Sequence, residues 1–387
     1  MKQNIAILGS TGSIGKSLIK IISRDIKKFN ISLLSANKNY KLILKQAKKF
    51  NVKYLIIIDP KSFDLAIKYS KNKKIKIFNN FNSLDKIFKK KNDYTMCAIS
   101  GFEGLKPTYD MIKYSKKIAI ANKESIVCGW PLLNDEIKKN KTEFIPIDSE
   151  HFSIWYGINK LDKKKIDKIY LTASGGPFLN TSLNKLDKIK IIDALNHPNW
   201  KMGRKISIDS ATMMNKVLEI IEARNIFNIK LNKINILIHP NSYLHAIIKF
   251  NNGLIKCIAH DTTMEIPIFN SLYNDTSNSI KSSSLNIDKL NNLNLKSVNQ
   301  NKFPVTKLLK MINDNYSLFE TIIVTTNDVL VNSYLNKKIK FTQISSLLLS
   351  FIKKKEFKKY KTICPSNFEE ITKLNNYVKF KLNEIIR

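Results

Sequence analysis

The sequence predicts an α/β protein: a doubly wound parallel sheet at the N-terminal end, an α+β middle and a small helical bundle at the C-terminal end. Three observations predict it. Apolar runs of strand length at residues 4–9, 30–35, 54–58, 96–100 and 117–121 are separated, in several cases, by helix-length segments, the pattern of parallel strands joined by crossover helices. The first run passes directly into Gly9-Ser-Thr-Gly-Ser-Ile-Gly15, which opens a helix with Leu18, Ile19 and Ile22 inside. From Pro304 onward the apolar spacing turns helical, through Leu308, Leu309 and Ile312, then Val324, Val329 and Leu330, then Leu347, Leu348 and Ile352.

Taken in order, the elements suggest chemistry. A glycine-rich turn between strand and helix lets backbone N–H groups approach a pyrophosphate, and the helix N-terminus favours its charge. The spacing is GxxGxxG rather than the commoner GxGxxG, so its place at the head of a strand–turn–helix unit carries the Rossmann-like, dinucleotide-binding reading. The second strand ends in Ala36-Asn-Lys-Asn39, with no carboxylate for a ribose 2′-hydroxyl. That absence favours a 2′-phosphate, hence NADPH over NADH; Lys38 fits, but it is one lysine among very many. The turns Ser100–Gly104 and Ala121–Ser125 follow strand C-ends, where open parallel sheets bind ligands, so Asn122, Lys123 and Glu124 are site candidates that would equally serve as helix caps.

Asp148 and Glu150 stand two apart in Phe144-Ile-Pro-Ile-Asp-Ser-Glu-His151. Extended backbone would point both carboxylates one way; the same four residues also read as the start of a helix. Ser174-Gly-Gly-Pro-Phe178 is a flexible turn headed by a hydroxyl, and His197-Pro-Asn-Trp-Lys-Met-Gly-Arg204 reads as a mobile lid or as a loop whose Trp200 plugs a core. Asp209–Arg224 then reads as one helix with Ser210 as N-cap and Met213, Val217, Leu218 and Ile221 buried. Asn215, Lys216 and Glu219 sit on it at spacings of three and four, either a solvated ion-pair face or an amide, an ammonium and a carboxylate able to hold a phosphate and a metal. Glu219 with Asp148 and Glu150 would suit a hard cation, Mg²⁺ or Mn²⁺. Strands at 234–240, 246–250 and 254–258 follow, the last two forming a hairpin around Asn251-Asn-Gly253.

The net charge of +35 raises a nucleic-acid binder as a rival, but lysine, asparagine and isoleucine are over-used throughout and no lysine block interleaves with stacking aromatics. We therefore expect no nucleic-acid partner. Cys97, Cys128, Cys257 and Cys364 are far apart, without the spacing of a zinc site or disulfide framework. No apolar run approaches a membrane span, and no signal-peptide layout opens the chain, so a reducing, cytoplasmic setting without membrane partners is expected.

The motifs Gly9–Gly15, Ala121–Ser125, Asp148–His151, Ser174–Phe178, His197–Trp200, Met202–Ser207 and Asp209–Glu219 lie in one order over nearly the whole chain, and together closely resemble the 1-deoxy-D-xylulose 5-phosphate reductoisomerase family. The resemblance implies a V-shaped protomer, a homodimer, and NADPH with a divalent cation (Mg²⁺, Mn²⁺ or Co²⁺). It implies conversion of the phosphorylated sugar 1-deoxy-D-xylulose 5-phosphate to 2-C-methyl-D-erythritol 4-phosphate, an early step of isoprenoid synthesis. Carried over, the metal ligands are Asp148, Glu150 and Glu219, and the phosphate pocket is Ser174, Ser210, Asn215 and Lys216 with His197 beside it. Lys123 and Ser149 meet the substrate backbone, as do the metal ligands Glu150 and Glu219; Lys123, Glu150 and His197 are the expected catalytic residues. NADPH contacts fall on Thr11, Gly12, Ser13, Ile14, Asn37, Lys38, Asn39, Asn122, Glu124 and Gly203, and the lid on Trp200 and Met202. Two departures stand out: His260-Asp-Thr-Thr-Met264 where the family usually has Gly-x-Pro-Asp-Met, and Asn37 where it often has glycine. The expected organisation is an NADPH-binding domain over 1–150, a catalytic and dimerisation domain over 151–273 with the lid at about 197–204, a linker over 274–301 and a helical bundle over 302–387. The rival within enzymes is another NADPH-dependent oxidoreductase acting on a phosphorylated carbonyl compound.

Overall fold

The computed structural model describes residues 2–70, 74–158, 161–273 and 278–386. It divides into two compact units: Met1–Ser125 with Leu132–Asp148 and Met264–Ile280, and Ile126–Pro131 with Ser149–Thr263 and Lys281–Arg387.

The first unit holds a seven-stranded, all-parallel sheet of β1 (Gln3–Leu8), β2 (Phe29–Ala36), β3 (Tyr54–Ile57), β4 (Lys76–Phe78), β5 (Asn92–Cys97), β6 (Ser115–Ile120) and β7 (Glu143–Pro146), in the order β4-β3-β2-β1-β5-β6-β7. Central strands covered on both faces need unbroken apolar runs, and Ile5 to Leu8 are fully buried. The chain winds outward from β1 to β4, then returns beside β1 with β5, so the strand order reverses there and opens a crevice at the strand C-ends. Helix α1 (Ser13–Arg24) follows the glycine turn and buries Gly15, Leu18, Ile21 and Ile22; α2 (Tyr40–Phe50) follows β2 and α3 (Lys123–Lys139) follows β6. Strand β5 begins at Asn92, earlier than its apolar pattern suggests, because polar residues in it find partners on neighbouring strands. Asn92 accepts from Ser32 Oγ at 2.8 Å and Thr95 shares a hydrogen bond with Ser115 at 2.7 Å. The helix Glu265–Leu272 packs on α1, where Lys20 and Arg24 donate to Glu265.

The second unit has a five-stranded sheet of β8 (Ile166–Ala173), β9 (Ile234–Ile238), β10 (Leu244–Phe250), β11 (Ile255–Ala259) and β12 (Lys296–Ser297), in the order β11-β10-β8-β9-β12. Only β8 and β9 are parallel. The hairpin expected around Asn251–Gly253 joins β10 to β11, with Gly253 at φ +87°. Helices α4 (Ser149–Gly157) and α6 (Met214–Phe227) seal one core, with Ile154, Ile220, Ala223 and Phe227 against Ile169, Leu171, Ala246 and Ile248. The C-terminal helical region is α7 (Phe319–Leu335), α8 (Phe341–Phe351) and α9 (Phe368–Ile386); the buried ion pair between Arg224 and Glu320, at 2.8 Å, ties α6 to α7. Of the linker expected over 274–301, residues 274–277 lie outside the described residues, and the remainder carries a short helix, Ile287–Asn291, and β12.

Two local expectations are corrected. Asp209–Arg224 is not one helix: α5 (Arg204–Thr212) ends and α6 begins at Met213, which sits at φ +66°. Ser210 therefore lies in the last turn of α5 and caps nothing. The break is held by burial of Met213 and Met214 and by Thr212 Oγ, which bonds back to Ile208 and Asp209 carbonyls at 3.1 and 3.2 Å. Strand geometry also does not continue through Asp148: β7 stops at Pro146 and α4 starts at Ser149, so the helix-start reading of Asp148–His151 is the one the chain adopts.

Candidate active site

In the first unit the candidate nucleotide residues gather at the C-ends of the parallel strands. Gly9 (φ +80°) turns the chain under the crevice, and a Cβ there would meet Ala98 O at 2.5 Å. A Cβ on Gly15 would stand 2.4 Å from Gly9 O, so α1 starts this close to the turn only with glycine at both places. Thr11 to Ile14 are partly or fully exposed around the first turn of α1, the end of a helix that favours an anion. Beneath, Ser10 and Gln46 exchange hydrogen bonds of 2.8 and 3.0 Å that lock the turn to α2. Asn37, Lys38 and Asn39 follow β2, and Asn39 caps α2 by accepting from Leu42 N at 3.1 Å. Asn37 is not among the residues with positive φ, so its replacement of a common family glycine imposes no backbone strain. Asn122 does serve as a helix cap: it accepts from Ser125 N and donates to the carbonyls of Ile99 and Gly101. That arrangement fixes the start of α3, where buried Lys123 donates to Asp148 at 3.0 Å and Glu124 is buried in the first turn.

In the second unit the structure brings together Ser149, Glu150, Asn215, Lys216 and Glu219. Lys216, 4% exposed, reaches Glu150 and Glu219 at 2.5 Å each. Asn215 donates to the other Glu219 oxygen and Ser149 donates to Glu150. The face carrying Asn215, Lys216 and Glu219 is thus not solvated; Glu219 is 1% exposed. Glu150 and Glu219 each offer an oxygen within 4.8 Å of the other. A buried carboxylate, Glu219, held this close to a partly buried one, Glu150, needs a cation between them, and Lys216 supplies one. His151 lies fully buried behind, with Nε2 2.8 Å from Glu219 O and Nδ1 3.4 Å from the Glu222 carboxylate. Sequence reasoning missed Glu222; its signal is a third acid one helical turn beyond Glu219.

A second cluster joins Ser174 to His197. His197 Nδ1 accepts from the backbone N–H groups of Asn199 and Trp200 at 3.1 and 3.0 Å, which assigns the ring proton to Nε2, 3.0 Å from Ser174 Oγ. Ser174 Oγ also accepts from Gly176 N at 3.0 Å, so its own O–H points elsewhere, as a donor to an anion requires. Burial pushes His197 down to about 4, keeping it neutral. Gly175 and Gly176 have φ of +84° and +69°, and a Cβ on Gly176 would meet Ser210 O at 2.9 Å. The glycine turn thus lies directly over the last turn of α5, bringing Ser174 and Ser210 to one locality. Trp200 stands edge-on to His245 (6.1 Å), which stacks on His260 at 3.7 Å. His260, in the stretch that departs from the family pattern, thus forms the far ring of a stack that begins at Trp200. Asn199 pins the loop before Trp200 to Pro240 O and Ser242 Oγ at 2.6 and 3.0 Å. Gly203 is the N-cap residue of α5, and a Cβ there would meet open space.

The protein named 1-deoxy-D-xylulose 5-phosphate reductoisomerase from Pelagibacter ubique (strain HTCC1062) is 57% identical over 385 residues, 99% of both chains. This chain belongs to the 1-deoxy-D-xylulose 5-phosphate reductoisomerase family. Family models agree: 1-deoxy-D-xylulose 5-phosphate reductoisomerase matches residues 5–129, and two C-terminal domain models match 144–227 and 261–380. A relative of the same name from Sulfurihydrogenibium sp. (strain YO3AOP1) is 34% identical over 93% of each chain. Among solved structures, a DOX-P reductoisomerase in complex with NADPH, fosmidomycin and magnesium superposes with a TM-score of 0.91 at 30% identity, over 99% of this chain and 98% of that one. The Zymomonas mobilis reductoisomerase in complex with NADPH superposes at 0.88 with 30% identity over the whole of both chains. The reductoisomerase family read from the motifs is thus the family found, and the α/β fold with a parallel Rossmann-like sheet and a C-terminal helical region is the reductoisomerase fold. Among the described residues no helix is long and apolar enough to cross a membrane.

Proposed function

We propose that the chain reduces and rearranges 1-deoxy-D-xylulose 5-phosphate to 2-C-methyl-D-erythritol 4-phosphate with NADPH and Mg²⁺ or Mn²⁺. The observation that carries this is the Glu150–Lys216–Glu219 cluster, a partly buried and a buried carboxylate whose charge already demands a cation. The donors are hard oxygens, which fits magnesium or manganese; Asp148, two residues before Glu150, completes the proposed ligand set. The glycine turn, whose Gly9 and Gly15 leave no room for a Cβ, fits a dinucleotide pyrophosphate. When bound, the cation supplies Lewis-acid polarisation of the substrate oxygens and NADPH supplies the hydride.

The chain's own residues do the rest. Lys216 holds Glu150 and Glu219, the carboxylates that would also hold a cation, and with those acids so engaged its ammonium would be available to the substrate phosphate. Ser174, with its O–H left to donate, joins Ser210 and Asn215 in that pocket, and neutral His197 holds Ser174 in place. Lys123 and Ser149 orient the substrate backbone. Trp200 and Met202 close over it and exclude water, so binding energy at the phosphate aligns the reacting carbons. The protein acts as a homodimer in a reducing cytoplasm, which the free thiols of all four cysteines support.

The test is NADPH oxidation, followed by its absorbance, with 1-deoxy-D-xylulose 5-phosphate and Mg²⁺ or Mn²⁺. Turnover that is lost with EDTA and in Glu219→Gln is the expected result. Tight NADPH binding without turnover of this substrate would overturn the assignment.

A further inference from the structure

The last turn of α5 carries Ser210, yet what fixes that turn comes from 118 residues further along the chain. Asp209 is 2% exposed and sits near the C-terminal end of its helix, where the dipole disfavours a carboxylate. Both its oxygens are engaged. Asn327 of α7, itself fully buried, donates through Nδ2 to Oδ1 at 2.7 Å, and Lys205 Nζ lies 2.9 Å from Oδ2. Lys205 also reaches Asp328, the next residue of α7, at 3.0 Å. Two neighbouring residues of α7 thus hold α5 at its first turn and at its last.

We infer that Asn327 and Asp328 are positioning residues for the substrate-phosphate pocket, an inference that rests on the pocket proposed above. Successive helical residues are rotated by about 100°, so clamping Asp209 against α7 fixes the azimuth of Ser210 beside it. The same turn touches the glycine loop: Gly176 passes so close to Ser210 and Ala211 that a Cβ would meet Ser210 O at 2.9 Å and Ala211 Cα at 3.0 Å. Gly176 N in turn bonds Ser174 Oγ at 3.0 Å. A continuous set of contacts therefore runs from Asn327 and Asp328 through Asp209 to both hydroxyls of the pocket. Lys205 stands directly after the lid, so the clamp also anchors the lid's trailing end. None of these residues touches the reacting carbons; their effect is on where the phosphate is held.

The test compares wild type with Asn327→Leu, Asp328→Asn, Asp328→Glu and Ser210→Ala. Four quantities are read: KM for 1-deoxy-D-xylulose 5-phosphate, the competitive inhibition constant of inorganic phosphate, the NADPH dissociation constant and Tm. In Asn327→Leu and Asp328→Asn the KM and the phosphate inhibition constant should rise together by about tenfold, the scale of a lost charged hydrogen bond. NADPH affinity should hold, and Asp328→Glu should restore part of the loss. Asp328 is partly exposed, so Asp328→Asn keeps the test open if Asn327→Leu fails to fold. A lowered Tm with both constants at wild-type values would reduce the clamp to a stability device and overturn the inference. If Ser210→Ala raises both constants while Asn327→Leu and Asp328→Asn do not, the clamp alone falls. If Ser210→Ala leaves both unchanged, the pocket assignment falls and the clamp with it.

Discussion

The nucleotide region and the carboxylate region are built on different principles. At the C-ends of β1 and β2 the candidate contacts are made by backbone: a turn permitted by Gly9 and Gly15, and the open N–H groups of α1. Around Glu150 and Glu219 they are made by side chains from separate helices that satisfy one another, with Lys216 between two acids and Asn215 on one of them. A backbone site tolerates change in side chains but not in glycine. A side-chain site tolerates backbone shifts poorly and charge changes hardly at all.

The largest effect should come from charge. Glu219→Gln should lower turnover by about a thousandfold or more, the scale seen when a group acting as part of a unit is removed. Lys216→Met should also abolish useful turnover. It leaves buried Glu219 beside partly buried Glu150 without their ammonium, a loss of about 3 kcal/mol in stability. Added Mn²⁺ should recover much of that loss, read as a larger metal-dependent rise in Tm than in wild type.

Next comes the glycine turn. Gly15→Ala drives a methyl group to 2.4 Å from Gly9 O and should weaken NADPH binding by about a hundredfold, measured by fluorescence titration, with the metal site unaltered. Gly203→Ala, whose Cβ meets open space at an ordinary φ, should leave the fold intact. Were Gly15→Ala to bind NADPH normally, the backbone account of the first region would fail.

A smaller effect follows from His197. Its folded pKa of about 4 lies below the ordinary 6.5, so the unfolded chain binds more protons between those values. Stability should therefore fall as pH drops from about 6.5 to 4 and be insensitive to His197 above that window. His197→Gln should flatten that part of the Tm–pH curve. A neutral His197 also predicts that kcat/KM shows no ionisation from this ring between pH 6 and 8. The smallest effect is Asn228→Gly, at the exposed left-handed end of α6 (φ +52°), which should stabilise by roughly 0.5 kcal/mol without touching activity.

The same contrast explains what was legible in the sequence. The β1–turn–α1 unit and the β10–β11 hairpin are local, and period and glycine placement announce them. The break at Met213 is not: nothing in Asp209–Glu219 forbids a continuous helix, and the burial of Met213 and Met214, with the Thr212 hydroxyl bonded back to Ile208 and Asp209, holds it. β5 hides its polar residues because their partners, Ser32 and Ser115, come from other strands. Asn215, Lys216 and Glu219 were legible as a triplet, but their burial depends on Glu150, 66 residues away from Lys216. His151 with Glu222, and Asp209 with Asn327, are pairs that no spacing rule exposes.

One measurement tests the carboxylate region most directly: the dissociation constant of Mn²⁺ by calorimetry for wild type, Glu219→Gln and Lys216→Met, with no substrate present. If Glu150 and Glu219 form a cation site that Lys216 shares, Glu219→Gln should weaken binding at least tenfold, while Lys216→Met, freed of the competing ammonium, should tighten it. Equal affinities in all three proteins would contradict the site.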